Sequence, residues 1–335
     1  FAIFALNVRD ALIVVDEPEL HLHPTWQKRL FQIFVQLAET TGNQFLLATH
    51  SPTFISPQSI QFVSRVFSRE QQSHILRLAT TKLPDAKHLL QIVNSQNNEG
   101  IFFADEVVLV EGLSDRIFFE AILDKFGRQT THRATIEVIS VGGKGLFAAY
   151  AALLEACDVP YSIIADRDYV EQIGAADIKS LFKIDKIEIK KDVIDNGRSK
   201  DGEALFDRIE EAMKSGSWAD AQETWEYIKS RRLMVRSDLS DTDRKKFAEF
   251  IVSKRADRVY ILQKGAIEAY LPEGHRSKDI DKLIRFIAED DFWLKLAPDA
   301  QKELKEIALL IMPIETEAVP PSSDAMQQVV VAAGD

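Results

Sequence analysis

The sequence predicts an α/β protein made of two successive parallel sheets, the second interrupted by a charged helical insertion. Three observations predict it. Short apolar runs, LIVV at 12–15 and FLLA at 45–48, flank an amphipathic stretch from about Pro24 to Thr40, giving strand, helix, strand. The alternation then returns as VVLV at 107–110, a helix at about 115–126, TIEVISV at 135–141, a helix at about 145–156 and SIIA at 162–165. Finally, charged helical sequence from about Lys200 to Ala256 precedes one more strand-like run, VYIL at 259–262, so the second sheet is expected to receive its last strand after the excursion.

The remaining segments read as connections. Ile60 to Leu78 alternates as two strands, and Leu83 to about Gln96 reads as a connecting helix or a linker. The closing ETEAVPPSSDAMQQVVVAAGD has paired prolines, small residues and no amphipathic period, which predicts disorder. The expected parts are 1–100, the end of the first α/β unit; 101–195, the start of the second; 196–257, the helical insertion; 258–313, the completion of the second unit with C-terminal helices; and 314–335, the tail. The chain opens on Phe1 within a strand-like pattern, as a trimmed piece of a longer protein would.

Composition narrows the class. Of 335 residues 46% are hydrophobic and 28% charged, enough to bury a substantial core. The single cysteine, Cys157, excludes an intrachain disulfide, and its apolar surroundings mark it as a small buried hydrophobe. With neither a signal peptide nor an apolar run of membrane length, a cytoplasmic protein that avoids membranes is expected. The net charge of −11 argues against coating nucleic acid through the overall field, so DNA contact would need a local basic face or metal ions.

The first chemical motif is LIVVDEPELHLHP at 12–24. An acidic pair, Asp16 and Glu17, sits at the end of a buried strand, where parallel α/β sheets bind ligands. There one carboxylate can hold Mg²⁺ through water and the other can orient a water for attack on a γ-phosphate. LLATHSP at 46–52 brings His50 to the end of the next strand. His21 and His23 form a His-x-His before proline, a pattern that more often packs and caps than binds zinc. The two segments together resemble the Walker B motif and switch-histidine loop of ABC-type ATPases related to the SMC and RecF proteins, and so imply nucleotide binding by Asp16, Glu17 and His50. No G-x-x-x-x-G-K-[S/T] loop and no Ser-Gly-Gly signature occur, and VGGKGLF at 141–147 lacks the first glycine and the hydroxyl residue. ATP is therefore expected to act only in the complete protein.

The second constellation is acidic. VVLVEGLSDRIFFEAIL places Glu111 at a strand tip and Asp115 in the first turn of a helix, while SIIADRDY places Asp166 and Asp168 past another strand tip, where a spacing of two in extended chain directs both to one side. If the strands are neighbours, the four carboxylates meet, and their repulsion requires countercharge. Hard oxygen ligands suit Mg²⁺ or Mn²⁺, and two ions about 4 Å apart can clamp the attacking and leaving oxygens of a phosphodiester. EGLSD, VGGKG and DRD, in this order after successive strands, resemble the Toprim domain of topoisomerases, bacterial-type primases and OLD (overcoming lysogenization defect) nucleases. VYILQKGAIEAYLP at 259–272 then resembles the K-G-x-x-E-x-Y segment of the OLD family, which implies a catalytic Lys264 and makes Glu268, expected on a helix, a candidate metal or water ligand.

An ATPase end joined to a Toprim domain is the OLD arrangement. The resemblance implies a metal-dependent DNA endonuclease or nickase with Glu111 and Lys264 at the reacting centre, regulated through an ATPase domain in which Glu17 is catalytic. It also implies homodimerisation through that domain in the complete protein, a helicase partner, and a role in phage defence. A DNA face is sought in the insertion, where Lys229, Arg231, Arg232, Lys245, Lys246, Lys254 and Arg255 lie near Trp218 and Trp225, although a charged helix face is commonly just solvated. Two competing readings are a catalytically silent DNA-binding or assembly module and an RNA-processing Toprim enzyme.

Overall fold

The computed structural model describes residues 8–51, 54–56, 59–69, 72–78, 83–94, 99–127, 135–184, 200–219, 222, 233–276 and 279–312. The expected disordered tail lies outside these residues.

The first unit pairs β1 (Leu12–Asp16) in parallel with β2 (Gln44–Ala48), with Asp16 opposite Ala48. Between them runs α1 (Pro24–Thr41), whose buried Phe34 and Leu37 cover one face of the pair, Phe34 packing 5.1 Å from the Phe45 ring. The opposite face presents Leu12, Val14 and Leu46, each at least 60% exposed. A hairpin of β3 (Ser64–Arg69) and β4 (Gln72–Arg77) follows, then α2 (Ala86–Asn94).

The second sheet is parallel in the order β10 (Val259–Ile261), β7 (Tyr161–Ala165), β5 (Glu106–Val110), β6 (Ile136–Ser140). It is built by β5 (Glu106–Val110), α3 (Leu113–Gly127), β6 (Ile136–Ser140), α4 (Phe147–Ala156) and β7 (Tyr161–Ala165). All five residues of β5 are buried, as a strand covered on both faces requires, and the near-continuous apolar run of its sequence follows from that position. One face packs with α2 and α4 through Leu89, Ile92, Leu109, Phe147, Leu153 and the buried Cys157.

After β7 come α5 (Val170–Ile173), α6 (Ala176–Lys179), β8 (Phe182–Ile184), α7 (Lys200–Ser215), β9 (Leu233–Val235), α8 (Asp241–Lys254) and β10 (Val259–Ile261). The excursion is not wholly helical, because the apolar trio of β9 pairs antiparallel with β8. Phe247 and Ile251 of α8 pack on Ile261 of β10, seating the excursion against the sheet. The last helices, α9 (Ile280–Ile287), α10 (Phe292–Lys295) and α11 (Pro298–Ile311), join α3 on the other face.

Two polar anchors hold this assembly. Arg65 of β3 donates to the carbonyls of Phe102, Ala104, Cys157 and Asp158 at 3.1–3.3 Å, joining the hairpin to the second sheet. At the entry ends of the strands the Arg258 guanidinium binds Glu106 and Ser162, tying β10 to β5 and β7. The opposite, carboxyl ends of the strands are left for chemistry.

Candidate metal centre

Because β5 and β7 are hydrogen-bonded neighbours, the residues that follow them emerge side by side. Carboxylate oxygens of Glu111, Asp166 and Asp168 all lie within 4.8 Å of one another. The D-R-D segment is not extended as the sequence suggested. Asp166 is the last extended residue, and Arg167–Tyr169 turns at once into a 3₁₀ helix that brings Asp168 back to the group.

Asp115 has a double role. As the third residue of α3 it accepts a hydrogen bond from the Gly112 amide at 2.8 Å, satisfying a donor at the helix start. A Cβ on residue 112 would stand 3.2 Å from Asp115 Oδ2, a close approach that explains glycine in E-G-x-x-D. Burial, followed by the charges of Glu111 and Glu268, pushes the Asp115 carboxyl up to about 6. Asp166 is pushed up to about 9, by burial first and then by Asp115, Glu111, Asp168 and Glu268. Burial and, after it, the repulsion among acids on one rim both act against ionisation here.

The glycine turn after β6 docks on the same rim. Gly142 and Gly143 take φ values of 80° and 134°, and both amides donate to the Glu111 carbonyl, at 3.0 and 3.1 Å. That turn delivers Lys144, whose ammonium lies 2.7 Å from Asp168 Oδ2 with its side chain 11% exposed. The sequence motif VGGKG assigns no role to this lysine, although a cation beside the glycines is the available signal.

The other oxygen, Asp168 Oδ1, is buried and has no hydrogen-bond partner. An orphaned carboxylate oxygen within a cluster of hard oxygen donors fits a divalent cation such as Mg²⁺ or Mn²⁺.

Lys264 occupies the loop after β10. That loop touches the centre through its backbone, since the Arg167 amide donates to the Gly265 carbonyl at 3.2 Å. The Lys264 ammonium, however, pairs with Asp299 of α11 at 2.8 Å. Glu268 lies in a 3₁₀ turn, Ile267–Ala269, rather than on the expected helix, and is close enough to raise both Asp115 and Asp166.

In the first unit Asp16 ends β1, and Glu17 follows in a left-handed conformation with its carboxylate 3.5 Å from His50 Nε2. The sequence reading assigned no role to Glu19. Its buried carboxylate accepts from the Thr49 hydroxyl and, at 3.1 Å, from the Ser51 amide, gripping the loop on both sides of His50. Burial opposes its ionisation, but these bonds prevail and hold the carboxyl below its ordinary value. The signal was the last acid of D-E-P-E.

The candidate DNA-binding cations are committed to carboxylates: Lys245 to Glu249, Lys246 to Asp177, Lys254 to Asp257 and Arg255 to Glu306. Lys229, Arg231, Arg232 and Trp225 lie outside the described residues, and Trp218 is exposed.

The four-stranded parallel sheet and its acidic centre have the arrangement of a Toprim domain, preceded in the chain by a parallel strand pair. A family model for the Toprim domain of overcoming-lysogenization-defect-like proteins matches residues 102–168. A second, an AAA-domain model whose description refers to the AbiEii toxin and type IV toxin–antitoxin systems, matches residues 1–56. The two matches in this order, with the curated relatives, make the chain similar to the ATPase–Toprim proteins of the OLD family. It is 23% identical over 290 residues to the Old nuclease of Escherichia phage P2, covering 84% of this chain and 47% of that protein. It is 25% identical over 172 residues to the OLD nuclease of Thermus scotoductus, covering 49% and 32%, and 24% identical over 269 residues to the endonuclease GajA of Bacillus cereus, covering 76% and 45%. The chain thus spans about half or less of the length of these relatives. Among the described residues no helix is long and apolar enough to cross a membrane.

Proposed function

We propose that the protein is a metal-dependent DNA endonuclease or nickase. The observation that carries the proposal is the convergence of Glu111, Asp166 and Asp168 around a buried, unsatisfied carboxylate oxygen. The relatives named as nucleases support it.

Glu111, Asp166 and Asp168 would hold the metal, with Asp115 and Glu268 on the flank and room in the set for a second ion. Bound divalent metal supplies Lewis-acid activation of water and neutralises the scissile phosphate. Lys144 fixes one oxygen of Asp168 and leaves the other facing inward. Lys264 exchanges Asp299 for the substrate and stabilises charge on the leaving oxygen. Lys245, Lys246, Lys254 and Arg255 belong to the proposed DNA path, each giving up its carboxylate partner for a phosphate. In the longer protein Asp16, Glu17 and His50 take part in ATP binding and turnover that regulates cutting. Homodimerisation through the ATPase domain, a helicase partner, a cytoplasmic setting and phage defence complete the proposal. So does the division into an ATPase end up to about residue 100, a Toprim domain and its insertion.

The test is incubation with supercoiled plasmid and, in parallel, RNA, with Mg²⁺ or Mn²⁺, EDTA controls and Asp166→Ala. Metal-dependent cutting of DNA that is lost in Asp166→Ala supports the proposal. Cutting of RNA alone, or equal inactivity of both proteins, refutes it.

A further inference from the structure

We propose that Glu303, acting through Tyr270, is the positioning residue for Lys264, so that α11 sets where this lysine stands at the metal rim. The inference deepens the nuclease reading and rests on it for the role of Lys264.

The loop that carries Lys264 is held from two sides. On the sheet side the Leu262 amide donates to the Ala165 carbonyl at 2.9 Å, and the Gly265 carbonyl accepts from Arg167. The loop is thereby attached to the strand and turn that supply Asp166 and Asp168. On the other side stands the Glu303 carboxylate. Its Oε1 accepts from the Gln263 amide at 2.9 Å, and its Oε2 accepts from the Tyr270 hydroxyl at 2.7 Å. The same hydroxyl oxygen accepts from the Lys264 amide at 3.2 Å. Two consecutive amides at a strand end are thus anchored on one carboxylate, directly and through one phenol.

Burial makes this an exceptional use of a glutamate. Glu303 is 8% exposed and Tyr270 2%, and the neighbours of Glu303 on the same face of α11 are the core residues Ala300, Leu304 and Ile307. A carboxylate in such a position is costly unless donors meet it. The donors here all belong to the Lys264 segment. Asp299, one turn earlier on α11, meets the other end of the same residue by pairing with its ammonium. That pair is exposed on the Asp299 side, at 71%, and an exposed ion pair is readily exchanged for a phosphate. The buried clamp therefore fixes the backbone while the side chain stays available.

The test compares Glu303→Gln, Tyr270→Phe and Lys264→Ala for plasmid cleavage with Mn²⁺, together with amide hydrogen exchange at Gln263 to Gly265 and thermal midpoints. Displacement of a reacting group by about 1 Å costs on the order of 100-fold in rate. The clamp variants are expected to lose kcat on that scale with KM for DNA unchanged, and to exchange faster at Gln263 to Gly265 while β5 and β7 stay protected. Tyr270→Phe keeps the ring and serves if Glu303→Gln does not fold. Wild-type kcat per folded molecule, or exchange that rises evenly over the whole sheet, would overturn the inference and leave Glu303 an anchor of α11. Wild-type cleavage by Lys264→Ala would instead refute the role given to that lysine, and the exchange pattern alone would then decide whether the clamp exists.

Discussion

Lys144 and Asp168 form an ion pair of 2.7 Å in which the lysine, delivered by the turn after β6, occupies one oxygen of a carboxylate delivered by the turn after β7. The partner oxygen is left buried and unpaired. The pair thus orients a carboxylate of the candidate metal centre.

The first prediction concerns that pair. A charge-assisted hydrogen bond contributes about 1.5–3 kcal/mol, so Lys144→Ala is expected to lower metal-dependent cleavage about 10- to 100-fold. Mn²⁺ binding, followed by electron paramagnetic resonance, should weaken because Asp168 is free to rotate. Tighter Mn²⁺ binding in the variant would show that Lys144 competes with the metal instead of preparing its ligand.

A second prediction follows from the crowding of acids. Asp166 and Asp115 are raised to about 9 and about 6, so the metal-free folded state keeps protons that the unfolded chain loses above about 4. Where the native state binds more protons, stability falls as pH rises. The thermal midpoint in EDTA should therefore decline between about pH 4 and pH 9, and Mg²⁺ or Mn²⁺ should reverse the decline. A midpoint in EDTA that rises steadily over that range would contradict the repulsion.

The same repulsion gives Asp166→Asn opposite effects on stability and activity. At pH 8 the folded metal-free protein must hold at Asp166 a proton that the unfolded chain has lost, and asparagine removes that cost, so the thermal midpoint in EDTA should rise while cleavage and the stabilisation by metal are abolished. A variant that melts lower than the parent in EDTA would show that hydrogen bonding, rather than charge, dominates at this position.

The fourth prediction is for Asp299. On the proposed exchange of Asp299 for DNA by the Lys264 ammonium, Asp299→Asn should tighten DNA binding in Ca²⁺ by about two- to fivefold, an effect that vanishes at high salt. Binding by fluorescence anisotropy at two ionic strengths checks it. Weaker binding would mean that Asp299 steers Lys264 toward the substrate.

The acidic centre was legible because it depends on strand ends and short spacings: Glu111 and Asp166 follow apolar runs that the sheet makes neighbours. What eluded the sequence depends on turns and on distant packing. The D-R-D segment looked extended, but Asp168 reaches the group through a 3₁₀ turn. Glu268 sits at a spacing that suits a helix, yet lies in a single turn. Lys144 was hidden by glycines that already explained their own motif. Glu303 carries no local mark, since only the docking of α11 on the loop after β10 makes a buried carboxylate meaningful there.

Arg65 bears on how the protein can be divided. Its guanidinium joins the carbonyls of Phe102 and Ala104, which precede β5, to those of Cys157 and Asp158, which precede β7, and Ile60, Leu78 and Leu89 share one apolar core with β5 and α4. A chain begun at residue 101 would lose the cation that caps those carbonyls and would open an apolar wall to water. Such a shortened form should be recovered as aggregate. A soluble catalytic piece would need to start upstream of the hairpin, because what looks like a junction along the chain lies inside a single packed wall.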